Sequence, residues 1–305
     1  MLTQIFNAGS HMELLHRIRA FFSLLLIILN TLILACFLFF FTFFKLVLPF
    51  KPVRKVINAI LSLIAETWIG INNLIIRLFS RVTLNIEDNT RLDYKQWYLV
   101  TANHQAWSDI LILQMLFNRR IPLLKFFLKQ ELIKVPILGA AWWALDFPFM
   151  KRYTRAEIEA NPSLKGKDIE TTRKACEKFK EMPTSVMNFF EGTRFTQAKH
   201  DKQQSPYQYL LKPKAGGTAF ALSAMQGKLS TLLDITLVYP PNQSLDLISF
   251  LGGKIHTVNV VIQERPIPEW TSQGDYENDE AFRARFQDWV SGIWQEKDQL
   301  LQRYH

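Results

Sequence analysis

The feature that most restricts the fold of this chain is an uninterrupted apolar segment near its N-terminus. From Ala20 to Phe44, 25 consecutive residues carry no charge. At about 1.5 Å per residue, such a helix reaches roughly 37 Å, which is enough to cross a bilayer. No small-residue cleavage pattern follows the segment, so it differs from a secretory signal peptide. We therefore expect an anchor that stays attached to the chain, either spanning the membrane or forming a re-entrant helix pair.

The charges around this segment bear on its orientation. Basic residues lie on both sides, namely Arg17 and Arg19 before it and Lys45, Lys51, Arg54 and Lys55 after it. Because basic residues favour the cytoplasmic side of a membrane, the pattern favours a cytoplasmic C-terminal part. The next segment, Val56 to Phe79, is mostly apolar but carries Glu66 and Arg77. It fits an interfacial anchoring helix and a helix of the protein core equally well.

Charge and cysteine content restrict the partners. The formal net charge is +9, which favours anionic partners such as lipid, nucleic acid or phosphorylated substrates. The 24 Phe and 8 Trp, many of them near the N-terminus, suit a bilayer better than a nucleic acid, and we find no nucleic-acid-binding motif. The only cysteines, Cys36 and Cys176, form neither a disulfide framework nor a zinc site, so no bound metal is expected.

The chain divides into three parts. Residues 1–12 contain Gly9, Ser10, His11 and Met12 and read as the remnant of an expression tag. Residues 13–80 are expected to form the anchoring helices. Residues 81–305 alternate short β-rich runs with helical runs, which predicts an α/β sheet domain. Strands are predicted at 82–87, 97–101, 144–149, 185–190, 233–239 and 256–262, and helices at 108–117, 167–180, 215–224 and 279–301.

A first polar cluster, Asn103 to Asp109, directly follows the predicted strand 97–101. Residues five apart in one continuous helix point about 140° away from each other, so His104 and Asp109 meet only if the helix begins between them. With His104 in the preceding turn, the carboxylate can fold back on the imidazole and fix its tautomer. The pair then forms a general base without a nucleophile of its own. A capping or packing role is the alternative for a lone histidine near a helix start.

A second polar cluster, Glu191, Gly192, Thr193 and Arg194, follows the predicted strand 185–190 at the same relative place. The carboxyl ends of parallel strands converge on one crevice, so the two clusters can share a site. Gly192 permits a tight turn, and Arg194 offers a planar fork for phosphate oxygens. We expect Glu191 to orient that arginine or a substrate hydroxyl. An ordinary glycine turn with an exposed ion pair is the alternative.

A third group of basic residues includes Lys129 and, after the predicted strand 144–149, Arg152. Lys129 and Arg152 are the two that we predict to bind substrate, whereas Arg119, Arg120 and Lys125 fit a solvated or lipid-facing surface. Residues 199–206, rich in Gln and Lys with one Pro, are expected to form an exposed loop that could border the site.

Taken together, these residues resemble the 1-acylglycerol-3-phosphate acyltransferases and the wider glycerophospholipid acyltransferase family. The resemblance covers about residues 97–240 and the apolar anchor. His104 and Asp109, preceded by Asn103, resemble the family's His and Asp separated by four residues. The other three blocks are Phe190 to Arg194, where the family usually has Pro at the first position, Lys129 to Gly139 with Arg152, and Val238 to Pro240. The sequence around His104, with Gln105 and Trp107, is similar to that of a bacterial inner-membrane branch related to the lysocardiolipin acyltransferases.

The resemblance implies a glycerol-3-phosphate acyltransferase-like fold, a mixed and largely parallel sheet flanked by helices, with residues 81–305 as the catalytic domain. It implies that His104 deprotonates the free hydroxyl of a lysophospholipid, which attacks the thioester of acyl-CoA or acyl carrier protein. Glu191 to Arg194, Arg152 and Lys129 would bind the substrate, and no cofactor would be needed. No Gly-x-Ser-x-Gly nucleophile elbow is present, in agreement with direct transfer. The implied location is a bacterial inner membrane, with the catalytic domain facing the cytoplasm.

The chain departs from the family's pattern at two positions, and several functions remain as alternatives. Asp146 stands where the third block often has Gly, and Phe195 stands where Ser is common after the Arg. These leave the chemistry intact and are expected to change the shape of the acyl and head-group pockets. The preferred acceptor is 1-acylglycerol-3-phosphate, with lysophosphatidylglycerol or lysocardiolipin as alternatives. A lipid esterase using the same histidine and a non-catalytic lipid-binding protein are the competing functions.

Overall fold

The computed structural model describes residues 2–150, 160–161, 176–241 and 243–304. It begins with two long helices, α1 (Leu2–Val47) and α2 (Lys51–Phe79). Both are long and apolar enough to cross a membrane by length and composition. Large apolar side chains of α1, such as Phe21, Phe40 and Phe43, are about 60% exposed. An apolar surface of this extent fits association with a membrane better than contact with water.

The two helices form an antiparallel hairpin held by apolar and polar contacts. Near the turn, Leu38 of α1 packs in one cluster with Ile57 and Leu61 of α2. Farther along, Asn30 donates hydrogen bonds to Asn72 Oδ1 at 2.8 Å and to the Trp68 carbonyl at 3.0 Å. Polar pairs of this kind tie apolar helices together where the surroundings offer them no water.

Eight strands are present in the described part of the chain. They are β1 (Thr83–Asp88), β2 (Tyr98–Ala102), β3 (Leu124–Phe126), β4 (Leu128–Lys129), β5 (Phe149–Met150), β6 (Ser185–Met187), β7 (Thr231–Val238) and β8 (Thr257–Pro266). Six of them form one sheet in the order β1-β8-β7-β2-β6-β3, in which only the β7–β8 pair is antiparallel. The small sheet β4–β5 is parallel. The predicted mixed, largely parallel sheet is therefore confirmed.

Helices cover both faces of the six-stranded sheet. The helices after the N-terminal pair are α3 (Ser108–Phe117), α4 (Leu138–Ala144), α5 (Gln197–Gln203), α6 (Gly216–Met225), α7 (Leu247–Leu251) and α8 (Glu280–Gln302). Successive residues of a strand point to opposite faces. Val100 accordingly packs with Ile112 of α3 on one side, whereas Leu99 packs with Leu222 of α6 and Phe286 of α8 on the other. The two cores bury every residue of β2.

The structure contradicts one sequence prediction and leaves two others untested. The predicted strand 144–149 is wrong, because α4 ends at Ala144 and β5 begins only at Phe149. Between them Asp146 has φ +59, and Lys45 at the end of α1 binds its carboxylate at 2.6 Å. The predicted helix 167–180 lies mostly outside the described residues. Residues 2–12 continue the helix α1, and their origin as a tag remnant stays a prediction.

Candidate active site

The three central strands bring their following residues to one edge of the sheet. β2 pairs in parallel with both β6 and β7, so the three carboxyl ends lie side by side. His104 follows β2, Glu191 follows β6, and Tyr239 follows β7. The predicted meeting of the first two polar clusters is confirmed by direct contact, since the backbone N–H of His104 donates to Glu191 Oε1 at 2.8 Å.

The imidazole of His104 contacts the carboxylate of Asp109. Nδ1 lies 2.8 Å from Oδ2, and the helix α3 begins at Ser108, between the two residues as the spacing predicts. The same Oδ2 accepts bonds from the backbone N–H groups of Gln105 at 2.7 Å and Ala106 at 2.9 Å. An ionised Asp109 that accepts from Nδ1–H leaves the lone pair of Nε2 available to take a proton.

Tyr239 completes the bonding of this carboxylate. Its hydroxyl donates to Asp109 Oδ1 at 2.5 Å and contacts Ser108 Oγ at 3.0 Å. Burial raises the pKa of Tyr239 well above that of an ordinary phenol, so the hydroxyl stays a neutral donor. Sequence reasoning placed Tyr239 only in an apolar block. The available signal was a polar aromatic residue at the carboxyl end of a strand.

Phe189 is a second site residue that sequence reasoning missed. Its ring stacks on the imidazole of His104, with centroids 4.0 Å apart and planes inclined by 14°. Such a contact limits rotation of the imidazole, and the face of the ring attracts the cation that forms when His104 accepts a proton. The signal for it was its position two residues before the second polar cluster.

Glu191 acts within the protein rather than toward a ligand. Its side chain is fully buried, with Oε1 bonded to the His104 amide and Oε2 bonded to the Leu211 amide at 3.0 Å. Burial raises the pKa of Glu191 to about 7. The sequence prediction gave this residue contact with Arg194 or with a substrate hydroxyl. In the structure it instead fixes the backbone that carries the histidine.

The rest of the second cluster forms an open turn. Gly192 has φ +66, in the left-handed region that favours glycine. The hydroxyl of Thr193 accepts a 2.8 Å hydrogen bond from Lys199 on α5. Arg194 is exposed, and its guanidinium lies over the ring of Trp107 at 4.9 Å from the centroid. The predicted loop at 199–206 is partly helical, because α5 covers its first half.

Of the two substrate-binding residues predicted in the third group, the structure describes Lys129. Lys129 is exposed at the end of β4 and belongs to the small sheet. Arg152 lies outside the described residues. Within the described ranges, no three His, Cys, Asp or Glu side chains are grouped as a metal site requires.

The site lies within a region that matches known proteins. The sequence model of the acyltransferase family covers residues 81–240, just over half of the chain, including the histidine, both carboxylates, the arginine and the tyrosine described above. The chain belongs to the acyltransferase family. The histidine–aspartate pair therefore lies within an acyltransferase-family domain.

Two relatives of this acyltransferase-family chain are both named 1-acyl-sn-glycerol-3-phosphate acyltransferases. It is 26% identical over 231 residues to 1-acyl-sn-glycerol-3-phosphate acyltransferase gamma of Mus musculus, covering 71% of this chain and 56% of the relative. It is 24% identical over 263 residues to the delta enzyme of Homo sapiens, covering 82% and 62%. The chain thus spans between about half and three-fifths of the length of these curated relatives.

A solved structure is also similar to this acyltransferase-family chain. It is the 1-acyl-sn-glycerophosphate acyltransferase PlsC from Thermotoga maritima, with a TM-score of 0.47, 19% sequence identity and coverage of 92% of this chain and 98% of that chain. The resemblance to a bacterial inner-membrane branch stays a prediction.

Proposed function

We propose that this protein is a membrane-bound acyltransferase that moves a fatty acyl group from a thioester to the free hydroxyl of a lysophospholipid. The first acceptor to test is 1-acylglycerol-3-phosphate, which would give phosphatidic acid. The observation that carries the proposal is the His104–Asp109 contact at the same sheet edge as the exposed Arg194 turn. A base beside a cationic turn suits an acceptor that has both a hydroxyl and a phosphate.

The proposed chemistry is direct transfer. Nε2 of His104 takes the proton of the acceptor hydroxyl as its oxygen attacks the thioester carbonyl. The tetrahedral species then collapses, the carbon–sulfur bond breaks, and the imidazolium returns the proton to the leaving thiolate. Asp109 stabilises the imidazolium in between, at an Nδ1–Oδ2 distance of 2.8 Å. The ester formed and the thiol released balance the reaction without a covalent intermediate on the protein.

Binding of the acceptor phosphate is assigned to the open turn. Gly192 permits close approach of the backbone, the Arg194 fork neutralises charge, and Thr193 lines the turn. Lys129 and Arg152 are the further candidates from the sequence. No cofactor enters the proposal, because acyl-CoA or acyl carrier protein serves as a substrate.

The helix pair supports a location at a membrane. The acceptor is itself a membrane lipid, and α1 exposes a long apolar surface beside the domain. We propose a bacterial inner membrane with the catalytic domain in the cytoplasm, which the basic residues after the apolar segment favour.

A product analysis tests the function. Purified protein in mixed micelles receives lysophosphatidic acid, lysophosphatidylglycerol or lysocardiolipin, each with an isotope-labelled acyl-CoA or acyl carrier protein donor. Mass spectrometry should find the labelled acyl group in the fully acylated phospholipid. Labelled free fatty acid as the only product would establish the esterase instead. Lipid binding without any turnover would establish a non-catalytic lipid-binding protein.

A further inference from the structure

Trp107 is a large aromatic side chain in an unusual place. It directly precedes the first residue of α3, between His104 and Asp109 in the chain, and its side chain is 57% exposed. A tryptophan gains most from burial, since its ring is mainly apolar. The side chain of Trp107 makes no capping hydrogen bond to α3, and the amides of the preceding turn are bonded by Asp109 instead.

The indole of Trp107 contacts the arginine of the other polar cluster. The Arg194 guanidinium carbon lies 4.9 Å from the centroid of the ring. An arginine over the face of tryptophan is attracted by the negative face of the ring, and this attraction strengthens when water is excluded. The contact therefore joins the turn after β2 to the turn after β6 on the open side of the site.

The contact leaves the arginine available for a ligand. Among the residues that the structure describes, no carboxylate lies within ion-pair distance of Arg194, whereas Arg120 has one such partner and Arg265 has two. The indole ring contacts the flat face of the guanidinium. The N–H donors along the guanidinium edge therefore stay free to bind two oxygens of a phosphate. An exposed arginine without such a support would lose more side-chain entropy on binding.

We propose that Trp107 is a positioning residue for the acceptor phosphate: its indole holds the Arg194 guanidinium in the orientation that binds the phosphate of the lysolipid. The inference rests on the proposed function and adds to it a residue that sets affinity for the phosphate-bearing substrate. Because the indole contacts Arg194 rather than the imidazole, it acts on acceptor binding and leaves proton transfer at His104 unchanged.

Kinetics of four variants test the assignment, with lysophosphatidic acid and a saturating acyl donor. Trp107→Leu should raise the acceptor KM about three- to tenfold, with kcat and the donor KM within about twofold of wild type. Trp107→Phe keeps an aromatic face and should restore most of the affinity. In an Arg194→Ala background, Trp107→Leu should add no further loss, because the group that it positions is gone.

The outcomes separate the two proposals. Wild-type protein that acylates no lysolipid would overturn the proposed function and this inference with it. An active wild type with an unchanged acceptor KM in Trp107→Leu would overturn the inference alone. So would a loss confined to kcat, a Phe variant as impaired as the Leu variant, or full additivity of the two losses in Arg194→Ala/Trp107→Leu.

Discussion

The hydroxyl of Tyr239 donates a 2.5 Å hydrogen bond to Oδ1 of Asp109, the carboxylate oxygen that His104 does not contact. The two residues lie 130 positions apart in the chain. Tyr239 directly follows β7, and Asp109 lies in the first turn of α3, the helix after the neighbouring parallel strand β2. Asp109 is therefore held from both sides, by the turn of its own helix and by the strand β7. Its orientation, and with it the tautomer of the imidazole, depends on the central sheet.

Removing this hydroxyl should slow the reaction without weakening binding. Hydrogen bonds to charged groups contribute about 1.5–3 kcal/mol, of which only part is transmitted to the imidazole. Tyr239→Phe should therefore lower kcat about tenfold at an unchanged acceptor KM, as measured by steady-state kinetics. Ser108→Ala is the matched control, because Ser108 contacts the same hydroxyl at 3.0 Å; it should change kcat by less than about threefold. A Tyr239→Phe enzyme with wild-type kcat would show that the bond does not support catalysis.

The raised pKa of Glu191 predicts a specific pH dependence of stability. The folded-state pKa is about 7, against an ordinary value of 4.5. A carboxyl group whose pKa is raised by folding stabilises the fold below pH 4.5, and that stabilisation is lost as the pH rises toward 7. Relative to Glu191→Gln, which does not titrate, wild type should lose on the order of 3 kcal/mol across this window.

Thermal unfolding in one detergent, recorded from pH 4.5 to pH 8, measures the effect. The midpoint of wild type should fall relative to the variant between pH 4.5 and pH 7, and the difference should level off above pH 7. Glu264→Gln, which removes a carboxylate outside the site, is the control for the loss of one acidic group. Parallel curves for wild type and Glu191→Gln would contradict the raised pKa.

A buried ion pair lies beneath the site. Lys297 of α8 is fully buried, with Nζ 2.6 Å from Oδ1 of Asp234 on β7, and burial lowers the pKa of this lysine. Lys297→Met leaves the carboxylate buried beside Arg265 at 3.2 Å, and should cost about 3 kcal/mol of unfolding free energy. Lys297→Met/Asp234→Asn should recover part of that loss, since position 234 then carries no buried charge.

Thermal unfolding of these variants checks the expectation. Glu296→Gln is the control, because this carboxylate is 62% exposed in its pair with Arg265 and should contribute less than about 1 kcal/mol. Equal stability of Lys297→Met and wild type would show that the pair is dispensable.

The sequence predicted those features that depend on local pattern. The helix 108–117 and the strands after which the two polar clusters follow were located from periodicity, and the start of α3 between His104 and Asp109 followed from helix geometry. The carboxyl-end rule for parallel strands then placed the clusters together.

Features that depend on distant contacts could not be predicted in this way. The strand predicted at 144–149 failed because Lys45, 101 residues earlier, holds Asp146 in a turn. The edge strand β3 is only three residues long, which is too short to show the alternation of apolar and polar residues that predicts a strand. Glu191 looked like a ligand-binding group, but its burial depends on the segment at Leu211. The roles of Tyr239 and Phe189 likewise exist only once the sheet has formed.

Acyl transfer by His104→Ala tests the central claim most directly. Purified wild type and variant, matched in thermal midpoint, receive lysophosphatidic acid and an isotope-labelled acyl donor, and labelled phosphatidic acid is quantified by mass spectrometry. A general base contributes about a hundred- to ten-thousandfold to rate. The account predicts that the variant loses at least about a hundredfold of the wild-type rate while staying folded. A folded His104→Ala protein that forms labelled phosphatidic acid at the wild-type rate would contradict it.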